Sequence, residues 1–311
     1  MIGQGVALRG IGMAWLLVFV GASGCRLSAG SSVDPVAPRS PSASTRRERS
    51  APTLVRVASW NVRRLGQAKT DLARVAEVLA HYDIVAIQEV MTREVVDALR
   101  ERLPEHAILL TDTPRPKQGS HREYYAFVYR RARMDPVMNT FYPDPADDFV
   151  RDPFVACFDG GDAVGRLCLL TVHVVWGDRV AQRKDEILAI DDALRWARNG
   201  GIDAEWIVLG DFNRPFDDGD RDEDPEEEWL ELIAPHVEPS PMLFVGPETP
   251  TTLGKNGYAN AYDHCFVSAP LQSHVRKAER LDIVAEVCGG SVEVCLASVS
   301  DHAPYGLELA F

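Results

Sequence analysis

The sequence predicts a single alternating α/β domain over residues 54–311. Three observations carry this. Short runs rich in β-branched residues recur along the stretch, apolar residues at helical spacing separate several of them, and 46% hydrophobic with 25% charged residues is the balance of a globular chain. A length near 300 residues accommodates one large domain or two ordinary ones, and no internal repeat is visible.

Leu54–Trp60 reads as the first strand and Asp83–Val90 as the second. Between them Leu72, Val75, Ala76 and Leu79 fall on one face of a helix, and Val95, Val96, Leu99 and Leu103 repeat that pattern after the second strand. Tyr124–Tyr129, Phe154–Phe158 and Leu167–His173 follow as strands with no convincing helix between them. A long helix is predicted over Arg179–Arg198, because Asn199-Gly200-Gly201 is a strong helix stop. Strands at Glu205–Leu209, Tyr262–Val267 and Tyr305–Leu309 complete the series.

The N-terminal 53 residues have a different character. Arg9 precedes an apolar run from Ile11 to Val20, shorter than the ~20 residues a membrane helix needs. With Gly21-Ala22-Ser23-Gly24 behind it, the run reads as a signal peptide over residues 1–24. Cys25 directly after Ala-Ser-Gly resembles a bacterial lipobox, which implies cleavage before Cys25 and its lipidation; an ordinary secretory signal with an incidental Cys is the plainer alternative. Arg26 then favours the outer membrane if the host is Gram-negative. Residues 25–53 are rich in Ser, Pro and Arg without apolar periodicity, the composition of a solvated tether. These residues imply a lipid-anchored envelope protein, with the membrane as partner through the lipid and the folded part a monomer.

Export implies an oxidising environment. Setting Cys25 aside leaves Cys157, Cys168, Cys265, Cys288 and Cys295, an odd number, so at least one is unpaired. Cys288 and Cys295 close a short Gly-containing loop and form the best disulfide candidate. Cys157 and Cys168 flank the Asp159–Gly165 turn symmetrically, which fits either a cross-hairpin bridge or two buried thiols, while Cys265 lies in an apolar strand as core filler.

Charge narrows the function. Residues 1–53 hold six Arg against Asp34 and Glu48, so the remaining 27 basic and 44 acidic residues give the body −17. Such a body does not grip a polyanion by general electrostatics, and a basic nucleic-acid coat protein is excluded. The acidic stretch Asp217–Glu228 is a candidate Ca²⁺ site; alternatively Asp224 caps a helix, with Pro225 and Glu226–Glu228 in its first turn.

Six clusters lie at or just beyond predicted strand ends: Ser59-Trp60-Asn61-Val62, Ile87-Gln88-Glu89-Val90, Thr171-Val172-His173, Gly210-Asp211-Phe212-Asn213, Tyr262-Asp263-His264 and Ser300-Asp301-His302-Ala303-Pro304. Their inventory is carboxylates, carboxamides and histidines, with no nucleophilic Ser or Cys motif. Oxygen-rich ligand sets suit Mg²⁺ or Mn²⁺, and two histidines supply a proton acceptor and a donor. Singly, each cluster has an ordinary reading: a surface Gln-Glu, a Gly-Asp turn, a hydrogen-bonded histidine.

In their order and wording the six clusters resemble the endonuclease/exonuclease/phosphatase superfamily, over about residues 54–311. The resemblance is greatest to the deoxyribonuclease I-like branch, through Asp83–Val90, Arg122–Arg130, the Phe149-Val150-Arg151-Asp152-Pro153 segment, His173, and Thr251-Thr252 upstream of Tyr262-Asp263. It implies a four-layer α/β/β/α sandwich with two packed mixed β-sheets and a divalent-metal-dependent phosphodiesterase acting on DNA. By the same resemblance Glu89 holds the metal, assisted by Asn61 and Asp301. His302 oriented by Asp263 activates water, and His173 oriented by Glu123 protonates the leaving oxygen, although the two roles exchange without contradicting the sequence. Asp211 and Asn213 bind metal, water or phosphoryl oxygens, and Arg151, His121, Arg63 and Arg214 contact substrate. Two positions depart from the branch: Met91 stands where it has a groove-reading Arg, and His121 where it has a Tyr. The alternative implied substrates are phospholipid headgroups or small phosphoesters, and a third class is a catalytically silent envelope-binding protein.

Overall fold

Two six-stranded sheets account for nearly all the strands of the computed structural model, which describes residues 51–67, 69–116, 121–177, 180–215 and 242–311. The signal segment, Cys25, the tether up to residue 50 and the acidic stretch Asp217–Glu228 lie outside these described residues, while Thr53 at the tether's end pairs with Phe311 through two backbone hydrogen bonds. The first sheet holds β1 (Leu54–Leu65), β2 (Ile84–Val90), β3 (His106–Leu110), β4 (Tyr124–Arg130), β13 (Val275–Arg280) and β14 (Tyr305–Ala310), in the order β13-β14-β1-β2-β4-β3. The second holds β5 (Asp135–Phe141), β6 (Phe154–Asp159), β7 (Arg166–His173), β8 (Glu205–Asp211), β9 (Met242–Phe244) and β12 (Asp263–Ser268), in the order β5-β6-β7-β8-β12-β9. A two-stranded ribbon, β10 (Leu253–Gly254) with β11 (Gly257–Tyr258), stands apart. Both large sheets are mixed: β1–β2 and β7–β8 run parallel and the other pairs antiparallel.

Strand alternation sorts the apolar side chains into layers, because successive residues face opposite sides of a sheet. Val55 and Val57 of β1 meet Phe154, Phe158, Leu169, Ile207 and Leu209 between the sheets. Ala58, Trp60 and Val62 face the other way, against α1 (Leu72–Leu79) and α2 (Glu94–Arg102). On the far side, Val155, Leu170 and Val208 pack on Ile187, Ile190 and Leu194 of α3 (Val180–Asn199). The four-layer α/β/β/α sandwich is therefore observed. Asp71 caps α1 by accepting from Ala73 N, and Gly201 beyond α3 takes φ +78°, the left-handed conformation a glycine stop provides.

Several expectations are corrected or resolved. Strands β3, β5, β9 and β13 are additional; β5 and β13 carry the mixed polar pattern of partly exposed edges rather than a buried run. Cys157 and Cys168 sit opposite each other on β6 and β7 and form a disulfide, as do Cys288 and Cys295, while Cys265 is a buried free thiol. Among the described residues no helix is long and apolar enough to cross a membrane.

Candidate active site

Register brings the chemistry together. His173 on β7 lies opposite Asp211 on β8, and Asp211 lies opposite Asp263 on β12, so three adjacent strands end with these side chains abreast. The close approach of β7 to β8 depends on Gly210, where a Cβ would stand 2.2 Å from the Val172 carbonyl oxygen. Gln88 stitches the two sheets beneath: its Nε2 donates to Ser59 Oγ at 3.0 Å and to Thr171 Oγ1 at 2.9 Å, all three fully buried.

The Ser-Asp-His segment is pinned to the end of β1. Ser300 Oγ donates to the Asn61 carbonyl at 2.8 Å and accepts from Arg63 N and His302 N. Trp60 Nε1 donates to the His302 carbonyl at 2.8 Å. Glu89 takes φ +59° where β2 breaks register, an uncommon conformation for a residue with a side chain, and its neighbour in the site, Arg64, takes φ +47°. In that conformation the Glu89 carboxylate accepts from Asn61 Nδ2 at 3.1 Å and from Arg64 N at 2.9 Å.

Two histidine–carboxylate pairs face one aspartate. His173 Nδ1 lies 2.7 Å from Glu123 Oε1, and His302 Nδ1 lies 2.8 Å from Asp263 Oδ2. An ionised carboxylate only accepts, so each Nδ1 carries a proton and Nε2 faces the cleft. Both Nε2 atoms lie 3.7 Å from Asp211 Oδ2, which also accepts from Asn61 Nδ2 at 3.0 Å. Asp211 Oδ1 accepts from Asn213 N at 2.9 Å, and Asn213, at φ +51°, donates its side chain to the Val174 carbonyl.

Electrostatics hold the pairs charged. Burial opposes the protonated form of His302, but Asp263 and Asp211 outweigh it and push this imidazole up to about 10. Burial and then Arg151 oppose protonation of His173, yet Glu123 and Asp211 raise it above the usual histidine value. Burial likewise opposes ionisation of Glu123, and His173 with Arg151 still hold it below the usual carboxylate range. Asp301 is raised by burial, against the pull of His302 and Arg63.

The fit to a divalent cation is visible in the donor set. Asn61 spends its amide hydrogens on Glu89 and Asp211, while its buried Oδ1 has no hydrogen-bond partner among the described residues. That oxygen, the Glu89 carboxylate and Asp301 form an all-oxygen set suited to Mg²⁺ or Mn²⁺. Asp211, Asp263 and His302 also offer ligand atoms within 4.8 Å of one another. Of those, Asp263 and His302 are engaged with each other at 2.8 Å, the geometry of an oriented imidazole rather than of two free ligands.

A cleft of about 430 Å³ gathers Asn61, Glu89, Arg151, His173, Asp211, Asn213, Asp301 and His302 in its walls. The other expected contacts fare differently. Arg151 is mostly buried, with Nε 3.2 Å from Glu123 Oε2 and a guanidinium hydrogen bond to the His173 carbonyl. Arg63 is half-exposed and paired with Asp301 at 3.4 Å. Arg214 is buried rather than displayed, its carbonyl bonded to His264 Nε2 at 2.8 Å, and His121 is exposed outside the cleft walls. Trp176 is 61% exposed and lines the cleft. Glu186 has a part the sequence did not suggest: buried on α3, it accepts from Val150 N and Val175 N at 2.9 Å each and so fixes the segments carrying Arg151 and Trp176. An acidic residue on an inward helix face was its only signal.

The model of the Endonuclease/Exonuclease/phosphatase family matches residues 58–302, from the first strand to the second histidine. The chain belongs to this family. It is 34% identical over 265 residues to a deoxyribonuclease of Thioalkalivibrio sp. (strain K90mix), covering 80% of this chain and 69% of that one. It is 32% identical over 171 residues to deoxyribonuclease-1-like 2 of Mus musculus, covering 52% of this chain and 60% of the relative. Among solved structures, the 3′ phosphatase NExo from Neisseria, bound to a product DNA hairpin, superposes with a TM-score of 0.57 at 19% identity, covering 83% of this chain and all of the other.

Proposed function

We propose that this protein is a divalent-metal-dependent phosphodiester hydrolase that cuts DNA as an endonuclease. The observation that carries the reading is the convergence of two oriented imidazoles on one aspartate, 3.7 Å from each Nε2, beside an all-oxygen donor set. Similarity to named deoxyribonucleases supports DNA as the substrate.

Asn61, Glu89 and Asp301 would hold the cation. When bound, it polarises a phosphoryl oxygen and offsets the charge that develops on phosphorus. A cation on Asp301 would favour the neutral form of His302, the next residue in the chain, leaving its imidazole free to act as a base. His302 then accepts the proton of the attacking water, with Asp263 fixing its tautomer. His173 keeps its proton under Glu123 and delivers it to the leaving oxygen. Asp211 and Asn213 orient water and the phosphoryl group, and Arg151 stabilises the anionic Glu123 from behind. Cys25, read as lipidated, would tether the domain to the cell envelope.

A second reading, hydrolysis of lipid headgroup or small phosphoesters, is favoured by the substrate contacts: His121 lies outside the cleft, Arg214 is buried and Arg63 is paired with Asp301. The test is nicking of supercoiled plasmid with Mg²⁺ by the wild type and by Asp211→Ala. The wild type is expected to nick and the variant, equally folded by circular dichroism, to lose activity. Intact plasmid with folded wild type, together with hydrolysis of a phosphomonoester or a phospholipid, establishes the second reading instead.

A further inference from the structure

The cleft has an aromatic rim that the hydrolytic chemistry does not use. Trp176 stands three residues beyond His173, in the same cleft wall, with 61% of its surface exposed. Its ring is held rather than loose. The Arg183 guanidinium lies 4.4 Å from the ring centroid, a cation–π contact, and is itself fixed by donating to the Asn213 carbonyl at 3.1 Å and the Gly177 carbonyl at 2.7 Å. The backbone just before the indole is anchored by the Val175 N–H on Glu186. Tyr262 flanks the ring at 5.9 Å between centroids, inclined by 49°.

Leaving a large indole in water forgoes the stabilisation that burial would give it. Its surroundings do not suit an apolar partner or a lipid surface. Arg183 and Tyr262 flank the ring, Asn260 lines the same cleft, and the other exposed large hydrophobics among the described residues are Leu54, Val137 and Trp196, none of them in the cleft walls. A single preorganised aromatic face in a polar rim fits one flat ring. Next to a phosphodiester site, the flat ring available is a nucleobase.

We propose that Trp176 is a specificity-determining residue that stacks on an unpaired base beside the scissile phosphate, so that the enzyme prefers single-stranded or locally opened DNA over intact duplex. The inference rests on the nuclease reading above. In a duplex each base is already covered on both faces by its neighbours, so the indole gains a partner only after a base has unstacked. A single strand offers that face freely, and stacking on it is indifferent to sequence. Met91 is consistent with this, because the cleft lacks a groove-reading arginine at that position.

The test uses the full chain and two readouts. In the first, cleavage of a single-stranded oligothymidylate and of relaxed linear duplex DNA is measured for the wild type, Trp176→Ala and Trp176→Phe. Trp176→Ala is expected to lose about tenfold on the single strand, the scale of one stacked base, and much less on the duplex, and Trp176→Phe to recover most of the loss. Equal losses on both substrates, no loss on either, or a Phe variant as impaired as Ala overturns the assignment. In the second, tryptophan fluorescence is followed as oligothymidylate is added, in Asp211→Ala protein that does not turn over. Quenching that disappears when Trp176→Ala is added supports stacking; its absence in the parent overturns it. If the wild type cleaves no DNA of either form, the nuclease reading fails, and the quenching result still decides whether Trp176 stacks on bases.

Discussion

The two histidine–carboxylate pairs look alike on paper and differ in what stands behind them. Glu123 is shared: one oxygen meets His173 at 2.7 Å and the other lies 3.2 Å from Arg151. Among the described residues Asp263 serves His302 alone, at 2.8 Å, and its second oxygen is buried without a hydrogen-bond partner. A buried guanidinium therefore competes with the proton on the His173 side, whereas on the His302 side the nearby Arg63 is half-exposed and turned to Asp301. The lesson is that two copies of one motif become chemically distinct through the third residue. One imidazole is poised against a permanent cation, and the other stands beside the carboxylate that would carry the removable one.

The largest expected effect tests whether the pairs act as one unit. His173→Asn and His302→Asn should each lower plasmid nicking about 10³-fold, and the double variant should fall no further than the worse single one. Multiplicative losses in the double would show two independent activities and break the account. Next come the orienting carboxylates, compared by chemical denaturation. Glu123→Gln leaves Arg151 with an uncompensated buried charge that it cannot shed, costing about 3 kcal/mol of stability. Asp263→Asn leaves an imidazole that simply loses its proton, so its cost should be smaller. Equal destabilisation would mean that Arg151 does not distinguish the pairs.

The pH dependence sharpens the same contrast. The folded-state value of His302 is raised from 6.5 to about 10, so folding takes up a proton in that interval. Its contribution is complete below about pH 6.5 and fades as pH rises through 10. Protein stripped of metal should thus melt at progressively lower temperature from pH 7 to pH 10, and His302→Asn should flatten that slope more than His173→Asn does. A slope unaltered by His302→Asn would sink this electrostatic picture. The smallest effect is Arg63→Gln, which loses an ion pair exposed on both sides and should change stability by ~1 kcal/mol or less. A loss as large as that of Glu123→Gln would contradict the contrast between the two arginines.

Sequence carried the site further than the edges of the fold. Asn61, Glu89, His173, Asp211, Asp263 and His302 were legible because a set of acid, amide and imidazole groups recurs at strand ends, and strand ends converge. The central strands were legible because burial on both faces leaves continuous apolar runs, as in Leu167–His173. The edge strands β5 and β13 were not, since Asp135-Pro136 and Val275-Arg276-Lys277 carry the polar pattern of solvent-facing chain. Side-chain exposure was the least readable. Arg214 is buried and Trp176 is displayed, the reverse of what polarity suggests, because both are set by loops meeting from separate strands. Glu186 escaped notice for the same reason, as its partners Val150 and Val175 are backbone groups without a sequence signature.

The measurement that bears most directly on the central claim is the rate of supercoiled-plasmid nicking by the wild-type protein with Mg²⁺, before and after thorough chelation with EDTA. The account predicts nicking that stops on chelation and returns when Mg²⁺ is restored. Undiminished nicking after chelation, with folding intact, would contradict a centre in which Asn61, Glu89 and Asp301 hold a required cation.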